Sequence, residues 1–385
     1  MRSRLILFSF LSLTLVSALP GQTKVLLEIS NPGKVSRTEV VGVPWSSVTE
    51  WIPGARSETI VVGRDGTGES LTVQTIDLNQ DGKPDELLFQ AELKAGETQQ
   101  YVLRNAGKPG PVVESMTDAR FVLPRKDLAW ENDRIAFRVY GPALAAEVNN
   151  GIDVWTKRVR HLIVEKWYKA NEGNTGRDSY HEDHGEGADF FSVGKSLGCG
   201  ASALWKDNSL LQPGVFESHK ILATGPIRTV FELGYKGVQY DGKLVTEVRR
   251  ITLDAGQNLN KIEVTYQGGS GSVEFAAGVV KRQNVVSGAS KSNHWVSLYG
   301  PTTSNAVDGF LGTGVIVPAA AFREIREDSV HTLIVGSATI GQPVTYYAGA
   351  GWTRSGDFKS KEEWERYLDR FAQNVREPLK MIVKR

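Results

Sequence analysis

This chain has little cysteine, methionine, histidine or net charge. Its one cysteine, Cys199, cannot form an internal disulfide, so stability must come from a packed core. With 45 Lys and Arg against 44 Asp and Glu, the net charge is +1, which gives no reason to expect nucleic acid or an acidic membrane surface as partner. The six histidines keep any list of imidazole acids or bases short. Long apolar runs are absent apart from residues 5–16, and that run is too short to span a bilayer.

That run belongs to an expected secretory leader over residues 1–22. Arg2 and Arg4 form a basic start, Val16, Ser17 and Ala18 are small residues before a cut, and Pro20-Gly21 breaks the chain. No cysteine follows for lipidation, so the mature protein is expected to be exported, periplasmic or extracellular, and free of the membrane once the leader is removed. What is abundant is glycine, 40 residues, with scattered Val, Thr, Tyr and Trp. That mixture suits a turn-rich β protein, and 385 residues suit two domains.

Short β runs at 24–29, 39–43, 57–62, 71–76, 86–90 and 99–103 are separated by Asn31-Pro32-Gly33, Asp65-Gly66, Asp81-Gly82 and Ala95-Gly96. They predict an N-terminal Ig-like β-sandwich over residues 23–110, closed by the stiff linker 107–111. Residues 115–385 read as a large antiparallel β-sandwich with longer strands. It includes one amphipathic helix over 361–375, with Ser360 and Glu363 as a capping box and Trp364, Tyr367, Leu368, Phe371 and Val375 as its apolar stripe. A closing strand at 379–384 is expected to return to the same sheet.

Three stretches carry chemistry. In residues 77–86, Asp77, Asn79, Asp81 and Asp85 fall at positions 1, 3, 5 and 9 of a calcium-loop pattern, with Gly82 at position 6. The glutamate of position 12 is missing, so a structural calcium site and an Asp/Asn-rich hairpin turn both stay open. In residues 134–140 the alternation puts Arg134, Arg138 and Tyr140 on one strand face and Ile135, Phe137 and Val139 on the other. The two arginines suit a substrate carboxylate or pairing with acids such as Glu131 and Asp133. Residues 177–200 form a glycine-rich loop dense in titratable groups, with Tyr180, His181, Glu182, Asp183, His184, Glu186 and Asp189. The loop suits a site, whether acid–base or a zinc site through His181 and His184 with Glu186 or Asp189.

Several ordered blocks resemble one family across essentially the whole mature chain. They include residues 130–133, 137–144 and 151–155, Trp167-Tyr168, residues 180–187 and 193–200, Gly225-Pro226-Ile227-Arg228, and residues 346–352. The family is DUF4861. The resemblance implies a secreted bacterial sugar-degradation protein, associated with uronate-rich polysaccharides such as ulvan or pectin. It also implies a body similar to the galactose-mutarotase supersandwich. A relative acts as an oligosaccharide dehydratase, leaving a 4,5-unsaturated sugar.

Such an elimination needs a base for the C5 proton, an acid for the leaving 4-hydroxyl, and a cation for the carboxylate. Chemically, His184 is expected as base and Tyr180 as acid, with His181 shared between chemistry and metal. Arg134, Arg138 and His294 are candidates for binding substrate, and Trp130, Trp155 and Trp352 for stacking a sugar ring. No cofactor is needed for this chemistry. The first reading is a carbon–oxygen lyase, a hydro-lyase on the terminal uronic acid of an oligosaccharide. The alternatives are a mutarotase- or epimerase-type enzyme and a non-catalytic carbohydrate-binding protein.

Overall fold

A computed structural model describes residues 24–172, 179–304 and 306–384. The expected leader therefore lies outside the described residues, as do Arg177 and Asp178 of the polar loop.

The protein is mainly β, built from antiparallel sheets. The first sandwich packs a five-stranded sheet, in the order Lys380–Lys384, Lys24–Ser30, Thr98–Asn105, Ile60–Arg64 and Ser70–Leu71, over the strands Arg37–Pro44, Glu86–Leu93 and Val73–Ile76. Alternation supplies its core: Val25, Leu27 and Ile29 face inward with Leu87, Phe89, Tyr101 and Leu103. The last strand corrects the expected domain limits. Lys380–Lys384 pairs with Lys24–Ser30 in this first sheet and not with the second sandwich, and Met381 and Val383 pack on the first core.

The second body has an eight-stranded sheet running from Phe216–Ala223 at one edge to Val286–Ser290 at the other. Two five-stranded sheets share its core. One contains Cys199–Lys206, Ser272–Val280 and His331–Thr339. The other contains Ile152–Lys157, Ile135–Val139 and Asp127–Asn132. Trp130 and Phe137 from the latter meet Phe231 and Ile262 of the large sheet and Phe275 of the third in one continuous cluster. The two bodies are joined by Gln74. Its amide oxygen accepts from the N–H groups of Ile227 (2.9 Å) and Arg228 (2.8 Å), and its nitrogen donates to the Arg228 carbonyl at 2.9 Å.

The helix Lys361–Arg376 starts where its capping signal places it, with the Glu363 N–H donating to Ser360 Oγ at 3.3 Å. Trp364 and Leu368 bury its stripe against Gly312 and Gly314, where a side chain would collide with them. Two shorter helices, Trp45–Trp51 and Val164–Glu172, have no comparable sequence period. Helices this short are held by tertiary contacts. In Val164–Glu172 the contact is the buried carboxylate of Glu131, which accepts from the N–H groups of Ile163 (2.8 Å) and Val164 (2.7 Å) and from Lys157 Nζ (2.6 Å).

Burial lowers the pKa of Lys157, and Glu131 works against that. Glu131→Gln keeps an acceptor for the helix but removes the charge that Lys157 needs. It is expected to cost about 3 kcal/mol, read as a lower urea midpoint. An unchanged midpoint would contradict this role for Glu131.

Candidate active site

The site is built on two neighbouring strands, Ile135–Val139 and Ile152–Lys157. Their antiparallel register sets Arg138 directly opposite Asp153. Alternation sends Phe137 and Val139 into the main core, and Arg138 to the other face with Tyr140. On that face Arg138 is only 3% exposed. Its Nε and Nη2 donate to Asp153 Oδ2 (3.0 and 2.5 Å), Nη2 also to Asp189 Oδ2 (2.8 Å) and Tyr140 Oη (3.0 Å), and Nη1 to Tyr180 Oη (3.3 Å). The guanidinium also lies over the rings of Tyr140 (4.6 Å) and Trp155 (5.0 Å).

The polar loop covers this arginine. Tyr180 is buried and stacks on Trp155 at 4.8 Å, with Tyr168 beside it at 6.0 Å. Its carbonyl accepts from the Asp189 N–H at 2.7 Å, which closes the loop on itself. Gly187 pairs with Lys157 at φ 120°, where an added Cβ would stand 2.0 Å from the Thr156 carbonyl oxygen, so no other residue fits. Asp183 fastens the turn by accepting from the Gly185 and Gly187 N–H groups and pairing with Arg158 and Arg354.

Above Arg138 lies an open cleft of about 490 Å³, lined by Arg125, Tyr140, Glu147, Tyr180, His181, Asp189 and Phe190 among others. His181 sits at its rim with Nδ1 3.0 Å from the Asp189 carbonyl oxygen. A carbonyl only accepts, so Nδ1 carries a proton, and in the neutral ring Nε2 is then the acceptor. Arg125 lies 5.7 Å above the Tyr180 ring and makes no hydrogen bond or ion pair with any described residue.

Burial, then Asp153, raises the pKa of Tyr140 well above the usual tyrosine range, so it stays protonated. Two buried carboxylates share one guanidinium. Asp153 also accepts from the Val154 N–H, and burial raises its pKa while Arg138 works against that. Burial and the neighbouring Asp153 push Asp189 well above the usual carboxylate range.

The structure thus brings Tyr180, His181 and Arg138 to one cleft and leaves other expected residues elsewhere. His184 is exposed and outside the cleft lining. Arg138 does not offer a free fork to a substrate. It is held by Asp153 and Asp189, not by Glu131 and Asp133. Arg134 pairs with Asp133 and Asp357 and opens on a separate hollow at the seam between the two bodies. His294 lies in a left-handed turn (φ 55°), stacked on Phe322 at 4.3 Å.

The tryptophans expected as stacking faces are buried. Trp130 donates to Asn260 Oδ1 and Trp352 to the Asp308 carbonyl, both at 2.7 Å, while Trp155 lies beneath Arg138. Asp77, Asn79, Asp81 and Asp85 each accept from N–H groups of their own hairpin, as in an Asx-type turn. Among the described residues no three His, Cys, Asp or Glu side chains are grouped to hold a metal ion. No helix among them is long and apolar enough to cross a membrane.

Sequence reasoning missed Arg125, Tyr140 and Asp153 as members of the site, and it weighed Asp189 only as a member of the polar loop and a metal ligand. The period-2 pairing of Arg138 with Tyr140 was the available signal for the second of these.

These features define a double β-sandwich protein with a cleft of ionisable groups over a buried arginine. The chain belongs to the DUF4861 family, a domain of unknown function whose model matches residues 29–381. It is 33% identical over 351 residues to uncharacterized protein P7 of Formosa agariphila, covering 86% of each chain. Its fold is similar to a crystal structure of a glycosyl hydrolase family 38 protein from Enterococcus faecalis, with TM-score 0.52, 11% identity and 94% of this chain covered. An alpha-mannosidase from Enterococcus faecalis V583 is similar at TM-score 0.53 and 11% identity, with 95% covered. The chain spans about half the length of these two structures.

The state of Asp189 is open to test. A carboxyl whose pKa is raised on folding gives stability at low pH that is lost as pH rises from the unfolded value, about 3.9, towards the folded one. Asp189→Asn keeps an acceptor for Arg138 and removes that titration. The difference in melting temperature, wild type minus variant, should therefore fall between about pH 5 and about pH 8. A difference that stays flat over that range would mean that Asp189 is already ionised in the folded protein.

Proposed function

We propose that the protein is a carbohydrate-active lyase, a hydro-lyase that removes water from the terminal uronic acid of polysaccharide-derived oligosaccharides. The observation that supports it best is the cleft's combination of Arg125, a cation with no ion pair among the described residues, with a protonated phenol, Tyr140, and an imidazole, His181, whose Nδ1 is turned to the Asp189 carbonyl. The sugar class draws further support from the two solved structures that share the fold, a glycosyl hydrolase family 38 protein and an alpha-mannosidase. The apolar run after Arg2 and Arg4 supports export.

In this reading Arg125 binds the uronate carboxylate as a bidentate fork and makes charge at C5 tolerable. His181 Nε2 takes the C5 proton. The C5–H electrons form the C4–C5 double bond, the C4–O bond breaks, and Tyr140 gives its proton to the departing hydroxyl, which leaves as water. Solvent then carries the proton from His181 back to the Tyr140 phenolate. Arg138 does not touch the substrate. It positions Tyr140 and Tyr180 and stabilises Tyr140 when it loses its proton. The roles first expected of His184 and Tyr180 pass to His181 and Tyr140, because His184 lies outside the cleft and Tyr180 is buried whereas Tyr140 is half-buried at the cleft wall. The reaction calls on no metal. Calcium at Asp77, Asn79, Asp81 and Asp85 would brace a hairpin and do no chemistry.

Incubation with uronate oligosaccharides should produce near-ultraviolet absorbance from the conjugated double bond. His181→Ala and Tyr140→Phe should each lower the rate by about 100-fold or more, while melting temperatures confirm folding. Arg125→Gln should chiefly raise KM. Absence of new absorbance and of any loss of water across a panel of uronate oligosaccharides would overturn the proposal. Interconversion of sugar isomers without absorbance would favour an epimerase.

A further inference from the structure

Phe190 and Ser192 line the active-site cleft on one side and a second hollow, of about 350 Å³, on the other. Lys281, Arg282 and Thr302 line the far part of that hollow. Lys281 is neutralised by Glu327 at 3.1 Å. Arg282 has no carboxylate partner among the described residues. Its Nη1 donates to the Pro301 carbonyl and Nη2 to the Leu311 carbonyl, both at 2.7 Å, and it lies 5.9 Å from the Phe191 ring. Its Nε is buried with no hydrogen-bond partner among the described residues, as is Thr302 Oγ1.

Buried cations elsewhere have their acids: Arg138 has Asp153 and Asp189, Lys157 has Glu131, and Arg249 has Glu247. Burial without a counter-charge weakens Arg282's hold on its proton, bringing its pKa down to about 10. A largely buried charge is expected to be paired, and an arginine has five donors, of which two are engaged here.

We propose that Arg282 and Thr302 form a second sugar subsite that binds an oxyanion, a carboxylate or sulfate, on the residue next to the one held by Arg125. Because Phe190 and Ser192 border both hollows, the two adjoin, and consecutive sugars of one chain would occupy one each. The inference rests on the proposed function for the identity of the ligand as an acidic oligosaccharide.

Calorimetric binding tests it independently of turnover, using uronate disaccharides and tetrasaccharides with and without sulfate esters. Wild type should bind the tetrasaccharide more tightly, and Arg282→Gln should weaken that binding about tenfold while changing disaccharide binding less than about twofold. Arg282→Lys should retain part of the gain. A gain that appears only with sulfated chains assigns the oxyanion as sulfate, and one that appears with both assigns a carboxylate. Inorganic sulfate should compete with the tetrasaccharide but not with the disaccharide on wild type, a measurement that stands even if Arg282→Gln does not fold.

Equal weakening of both lengths, or of neither, would make Arg282 a structural clamp on Pro301 and Leu311 and overturn the subsite. Binding with the expected length dependence but without new absorbance would instead overturn the hydro-lyase reading and leave the subsite standing.

Discussion

The guanidinium of Arg138 is the constraint around which the candidate site is arranged. A cation this deeply buried is tolerable only with acids in contact, and it has two, Asp153 across the strand pair and Asp189 from the covering loop. The first is fixed by sheet register. The second ties the loop to the sheet, so the charge that must be satisfied also decides where the loop lies. Tyr140, Tyr180 and Trp155 are packed around the same guanidinium, and the cleft is the space they leave open. Burial, with Asp153 beside it, keeps the Tyr140 hydroxyl protonated.

The surrounding architecture keeps that arrangement rigid. One face of the strand pair belongs to the main core through Phe137 and Val154, so its register cannot slip without exposing the whole apolar set. The other face is covered by the helix Val164–Glu172, whose first turn is held by Glu131, and by a loop that can approach only because residue 187 is glycine. The first sandwich supplies none of the residues named in the site. Its attachment through Gln74, and through Arg37 Nη2 donating to the Glu377 carbonyl at 2.7 Å, fixes the far side of the large sheet.

Much of the fold was legible because it follows from local periods. Alternation in residues 134–140 separates Arg138 from Phe137 correctly, and Ser360 with Glu363 marks the start of the long helix. The site was legible only in part. The glycine-rich loop announces itself by composition, but which of its groups turn inward depends on Trp155, Tyr168 and Arg138, which lie elsewhere in the chain. Asp153 meets Arg138 through strand register, which sequence alternation alone does not specify. The tryptophans gave no sign of their burial, because an indole suits a core as well as a sugar face. The last strand joins the first sheet, a long-range pairing with no local signature.

The central claim is that a uronate held over Arg138 loses its C5 proton and its 4-hydroxyl together. A uronate oligosaccharide deuterated at C5 tests it directly by mass spectrometry of the product. The account predicts a product that lacks both the deuterium and one molecule of water's worth of oxygen. Recovery of deuterium-free sugar with its hydroxyl intact, or of unchanged substrate, would contradict it.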